Sequence, residues 1–268
     1  MSNYSAFFGF KSDPFANDIA AKELLKLPDM VAVKERIDYI LNLGGIMLVT
    51  GEVGSGKSSS LRWAVSHYHP NQTLVLPVVA NSGSVAEIYK TLAIEIGINF
   101  VGSSRARLAY EIKNAIRDIA TTKKQKVLLL VDEAHLMRAE VFAELHTLTQ
   151  FDLDSKNLLT LVLCGQPSLL DKLHLRTSQP LASRIIAKSH LAPISRLLLD
   201  DYVAHHLLVA GSKKKLFDEN ALTAIFQGSG GILRKTNALA RGGLVAAAIE
   251  KNDVVAAEHI RTAASELI

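Results

Sequence analysis

Eight consecutive residues constrain this chain more than any others. Gly51-Glu52-Val53-Gly54-Ser55-Gly56-Lys57-Ser58 matches the pattern G-x-x-x-x-G-K-[ST] in full. The pattern requires a setting: it must leave a strand and open a helix. Ile46–Thr50 is a short apolar run that reads as a strand, and a helix is predicted from near Lys57 to about His67. Gly51, Gly54 and Gly56 allow a tight turn, so that successive N–H groups converge on phosphate oxygens. The helix N-terminus adds partial positive charge. Lys57 can reach the β- and γ-phosphates of a nucleotide, and the Ser58 hydroxyl is a hard oxygen suited to Mg²⁺. Ser59 completes the candidate ATP-contacting stretch.

A second motif answers the first. Val127-Leu-Leu-Leu-Val131 is an uninterrupted apolar run, of the sort buried on both faces of a parallel sheet, and it ends in Asp132-Glu133. Asp132 is placed to hold Mg²⁺, and Glu133 to polarise an attacking water as general base. One strand, Thr73–Val79, and two helices separate this run from the loop. That arrangement is like the additional-strand class of P-loop ATPases. No N-K-x-D guanine-reading motif is present.

Apolar strands and amphipathic helices alternate through the first two thirds of the chain. Residues 30–42, Ser84–Ile96, Leu108–Ile119 and Val141–Leu148 carry helical periodicity, and Leu158–Leu163 reads as another buried strand. Pro77 inside Thr73–Val79 points to an edge or bulged strand. The pattern is that of an α/β domain with a parallel sheet. After about residue 194 only helices are predicted, at Asp200–Val209, Glu219–Gln227, Leu233–Ala248 and Val254–Leu267. A boundary near Pro193 therefore divides a core, 1–193, from a small helical domain, 194–268. The aromatic start (Tyr4, Phe7, Phe8, Phe10, Phe15) is too apolar to hang free and is expected to pack on the body.

With 49% hydrophobic and 21% charged residues among 268, wholesale disorder is excluded. There is no membrane-length apolar run and no signal peptide, so a cytoplasmic protein is expected. Cys164 stands alone, consistent with a reducing compartment and a buried structural thiol.

Three phrases carry a resemblance. They are the start Phe7-Phe8-Gly9-Phe10…Pro14-Phe15, the box Asp132-Glu133-Ala134-His135, and Leu161-Val-Leu-Cys-Gly165-Gln166-Pro167. Together they resemble AAA+ ATPases of the ExeA/GspA type and the related transposition ATPases of the TnsC/TniB type. The resemblance implies a three-layer P-loop sandwich with a helical lid. It implies that Gln166 is sensor 1, reading the γ-phosphate or the lytic water. Arg184 would be an arginine finger acting on a neighbouring subunit's nucleotide, with Arg176 a weaker candidate. Arg234 would be sensor 2, although Leu233 stands where the family has proline. His135 is read as a helix-start residue packed behind the acidic pair.

The net charge is +4, yet residues 101–126 alone hold seven basic and two acidic residues, a net of +5. In the transposition ATPases this region touches DNA backbone. The turn Ser103-Ser104-Arg105 with Arg107, and Ser84 at the preceding helix start, are therefore candidate phosphate contacts, salt-sensitive and indifferent to sequence. The expected function is an ATPase that self-associates with ATP on duplex DNA and selects target for a transposase. The expected assembly is a homo-oligomeric ring or helical filament. The alternatives are an accessory ATPase of secretion assembly and a loader of a replication protein. Secretion-type members carry a transmembrane helix and a peptidoglycan-binding domain after the ATPase part; the sequence stops at Ile268, and that favours the transposition branch.

Overall fold

The computed structural model describes residues 4–80, 83–99 and 104–266. Contacts divide the chain into two compact units. One comprises residues 28–51 and 57–191; the other comprises residues 1–27, 52–56 and 192–268.

The first unit is built on a five-stranded sheet. Its strands are β1 (Gly45–Gly51), β2 (Thr73–Val79), β3 (Lys126–Asp132), β4 (Thr160–Gly165) and β5 (Ile185–Leu191). The order is β2-β3-β4-β1-β5, and every pairing is parallel. Alternate residues of each strand face opposite layers. Ile46, Leu48, Leu129, Val131, Leu161 and Leu163 meet the helices Val85–Ile96, Arg105–Thr121 and Ala139–Thr149. Met47, Val49, Leu128, Leu130, Val162 and Cys164 meet the helices Pro28–Leu43 and Lys57–Val65. The result is a three-layer α/β sandwich, and it explains why β3 is apolar throughout its buried stretch, Val127–Val131. β2 forms one edge, which is where Pro77 is tolerated.

β5, the opposite edge, is absent from the sequence reading. Its residues Ile-Ile-Ala-Lys-Ser-His-Leu alternate between exposed and covered positions, and among the described residues only β1 pairs with it. An edge strand needs few apolar residues, so periodicity gives it little signal.

The second unit is helical, with Arg196–Val209, Glu219–Ser229, Leu233–Ile249 and Ala257–Ser265 around one core. Ser195 and Asp218 cap two of these helices through their side-chain oxygens. Gly242 and Gly243 allow the last two helices to cross closely: a Cβ at either would lie within 2.5 Å of Ala263 or Ile260. The N-terminal segment packs here, not with the sheet as the division at residue 193 supposes. Phe15 is fully buried and stacks on His206 at 5.5 Å, Lys11 N–H donates to the Ala210 carbonyl at 2.9 Å, and Arg241 pairs with Asp13 at 2.9 Å. Among the described residues no helix is long and apolar enough to cross a membrane.

Candidate nucleotide site

The ends of three neighbouring strands bring the predicted acidic and phosphate-binding groups together. β1 delivers Gly51, and the helix opened by Lys57 carries Ser58 in its first turn. β3, two strands away in the sheet, delivers Asp132 and Glu133, and β4 between them delivers Gln166. Ser58 Oγ donates to Asp132 Oδ2 at 2.6 Å, across 74 positions of sequence. The other oxygen, Oδ1, accepts from the Glu133 amide at 2.8 Å. Lys57 is 7% exposed, and its Nζ donates to the Gly51 carbonyl at 2.9 Å.

Glu133 adopts the left-handed conformation, φ +54°. For a residue with a Cβ this costs about 1–2 kcal/mol. Such conformations persist where surrounding contacts fix them, and they gather at functional sites. Here the Asp132 carboxylate holds the Glu133 amide, and the turn throws the Glu133 side chain outward, half exposed.

Residues 52–56 pack with the helical unit. Gly54 and Gly56 have φ +81° and +93°, so the loop uses its glycines as the motif requires. A Cβ on Gly54 would come within 2.6 Å of Arg234, whose amide donates to the Gly54 carbonyl at 3.1 Å. Arg234 lies in the first turn of Leu233–Ile249, which begins at Leu233 without a proline.

These residues fit Mg²⁺ and a phosphate chain. The donor set, one hydroxyl and one carboxylate, consists of hard oxygens. Mg²⁺ is ordinarily held by few protein ligands, the rest being water and phosphate. No group of three or more His, Cys, Asp or Glu is placed to hold a metal among the described residues. Ser55 Oγ is buried in the loop with no hydrogen-bond partner among the described residues, an orphan that a phosphate oxygen would satisfy.

Cys164 is buried behind Asp132; burial, with the neighbouring carboxylate adding to it, pushes its thiol well above the usual range. Arg184 precedes β5 and forms an ion pair with Asp154, with a further contact to Thr149 Oγ1 at 3.4 Å. The pair holds the Asp154 carboxyl below the usual carboxylate range.

The basic segment is tied to its own acidic neighbours. Arg105 pairs with Glu144, which also accepts from Tyr89 at 2.7 Å. Arg107 pairs with Glu111, and Arg117 with Asp152. Lys113 donates to the Thr147 carbonyl and lies over the Phe151 ring. Ser84 and Ser104 cap their helices, accepting from the amides of Glu87 and Arg107. Ser103 lies outside the described residues. Sequence reasoning could not have found Glu144, since a pairing across 39 positions leaves no local pattern.

Fold and site define a P-loop AAA+ architecture: a parallel sheet with the phosphate loop on β1, the acidic pair on β3 and the intervening strand β4, followed by helices. The model of the AAA domain matches residues 41–173. General secretion pathway protein A of Aeromonas hydrophila is 30% identical over 267 residues, covering 98% of this chain and 48% of that protein. The chain thus spans about half the length of that curated relative. Among solved structures, Cdc6p from Pyrobaculum aerophilum superposes with a TM-score of 0.79 at 17% identity, covering 97% of this chain and 72% of that one. The Aeropyrum pernix ORC1 protein in complex with DNA gives 0.73 at 14% identity, covering 96% and 70%. The Thermotoga maritima RuvB Holliday junction branch migration motor gives 0.54 at 16% identity, covering 88% and 69%.

Proposed function

We propose that the chain is a Mg²⁺-dependent ATPase. The observation that supports this most is the 2.6 Å hydrogen bond joining Ser58 to Asp132 beside the phosphate loop. In this reading Lys57 and the loop amides bind the phosphates, and Ser58 and Asp132 hold the metal. Mg²⁺, when bound, supplies charge neutralisation on the phosphate oxygens. Glu133 takes the proton of the attacking water, Gln166 orients that water or the γ-phosphate, and Arg184 reaches a neighbouring subunit's nucleotide. Arg234, whose amide meets the Gly54 carbonyl of the loop, senses the nucleotide. ATP therefore favours self-association, and hydrolysis reverses it.

Phosphate release measured with and without a chelator tests the reading. Glu133→Gln is expected to bind ATP and to lose about 10²–10⁴-fold in turnover. Parental turnover in that variant would remove Glu133 as the base.

The output is proposed to be control of duplex DNA for a transposase, the oligomer coating DNA and presenting target. The net +5 segment supports it, as does a fold shared with a protein whose structure is described in complex with DNA. A second reading, an accessory ATPase of secretion assembly, is favoured by the identity with General secretion pathway protein A over nearly the whole chain. ATP-dependent assembly on duplex DNA, seen by electron microscopy, supports the first output. Equal assembly with and without DNA supports the second.

A further inference from the structure

We infer that His135 is a positioning residue that couples Gln166 to Glu133, an inference that rests on the proposed hydrolysis. His135 lies in the single turn Ala134–Leu136 after β3, and its side chain is only 9% exposed. One ring atom, Nδ1, stands 3.4 Å from the Gln166 amide nitrogen and 3.3 Å from Glu133 Oε2. The approach depends on Gly165 at the end of β4. A Cβ there would sit 3.1 Å from the His135 amide nitrogen and 3.3 Å from Nδ1.

The chemistry of an imidazole nitrogen makes these two contacts mutually exclusive. With the ring proton on Nε2, the Nδ1 lone pair accepts from the Gln166 N–H, and Glu133 Oε2 finds no donor at Nδ1. With the proton on Nδ1, the ring donates to Glu133, and the Gln166 N–H loses its acceptor. The exchange moves one proton between the two ring nitrogens by way of solvent and changes no net charge. A shift of the β4 tip at Gln166 therefore decides whether Glu133 is held by the ring or turned to the water. His135 touches no reacting atom; it acts through the orientation of Glu133. The left-handed turn at Glu133 fixes the backbone on one side of this triad, leaving the side chain to be oriented by its partners.

Three variants test the coupling. Phenylalanine keeps the ring volume and removes both nitrogens. Asparagine keeps a polar atom on Cγ, where Nδ1 is attached, and glutamine does not. His135→Phe is expected to lose about 10–100-fold in kcat, the range for removing a group that orients an acting residue. Its affinity for a fluorescent ATP analogue should stay within about twofold of the parent, since the phosphate loop is untouched. His135→Asn should recover most of the loss, and His135→Gln should not. Thermal melting checks that each variant folds. The inference is overturned if His135→Phe keeps parental kcat, if ATP affinity falls in step with kcat, or if asparagine rescues no better than glutamine. Glu133→Gln run in parallel separates the two levels. An inactive Glu133→Gln beside a fully active His135→Phe sinks the coupling and leaves the hydrolysis reading standing. A parent without ATPase activity overturns both.

Discussion

At the scale of single residues, burial and hydrogen bonding decide what each group can do. Cys164 lies buried beside the Asp132 carboxylate. Burial disfavours its thiolate, and the Asp132 carboxylate disfavours it further. The expectation is that iodoacetamide at pH 8 labels Cys164 in the folded protein only as fast as the protein opens, and labels it promptly in denaturant. Rapid labelling of the native chain, followed by mass spectrometry, would contradict that assignment. The loop glycines, the acidic pair and Gln166 stand out in the sequence as candidates because each belongs to a short contiguous pattern. The Ser58–Asp132 bond was legible in outcome though not in geometry, since both motifs imply the same metal. The Glu144 partner of Arg105 and the Asp154 partner of Arg184 were not legible. Each pairs groups at least 30 positions apart, and either arginine looks equally free in one dimension.

At the scale of elements, the buried strands and amphipathic helices were readable and β5 was not. A strand covered on both faces must be apolar throughout, whereas an edge strand can carry Lys188, Ser189 and His190. The N-terminal segment teaches the complementary lesson. Its aromatic content shows that it must be buried, but not against what. It packs on the helix Arg196–Val209, where His206 lies between the Phe15 and Tyr202 rings and its Nδ1 meets the Pro14 carbonyl at 2.7 Å. Burial is the main reason the His206 pKa lies below 6.5; the Pro14 carbonyl opposes the shift, and His205 adds to it. Unfolding then takes up a proton between the folded pKa and 6.5. Stability contributed by the neutral ring is fully present above pH 6.5 and is lost as the pH falls from there through the folded pKa. Urea melts of the parent are expected to show a lower midpoint at pH 5.5 than at pH 7.5, with the difference reduced in His206→Phe. An unchanged pH dependence in His206→Phe would assign it to other groups.

At the scale of the whole molecule, charge distribution bears on the proposed partner. The net +5 of residues 101–126 is larger than the +4 of the entire chain, yet Arg105, Arg107 and Arg117 each have a carboxylate partner. On the proposed output, a DNA phosphate would have to compete with Glu144 for Arg105. If the proposed output is right, Arg105→Ala weakens duplex binding and lowers the slope of log affinity against log salt by about 0.9, one phosphate contact. Glu144→Gln should act in the opposite direction and tighten binding. Fluorescence anisotropy across a salt series reads both; two variants that bind like the parent would detach this segment from DNA.

The sequence by itself determined a phosphate loop between a strand and a helix, an acidic strand end to answer it, and an α/β core followed by helices. Those features follow from contiguous patterns: glycine spacing, hydrophobic period and an acidic pair after an apolar run. Only the tertiary structure decided that β4 lies between β1 and β3, that the aromatic N-terminus seats on the helical unit, and that His135 reaches both Glu133 and Gln166. Such pairings depend on strand order and close approach in three dimensions, and these leave no mark at any fixed spacing along the chain.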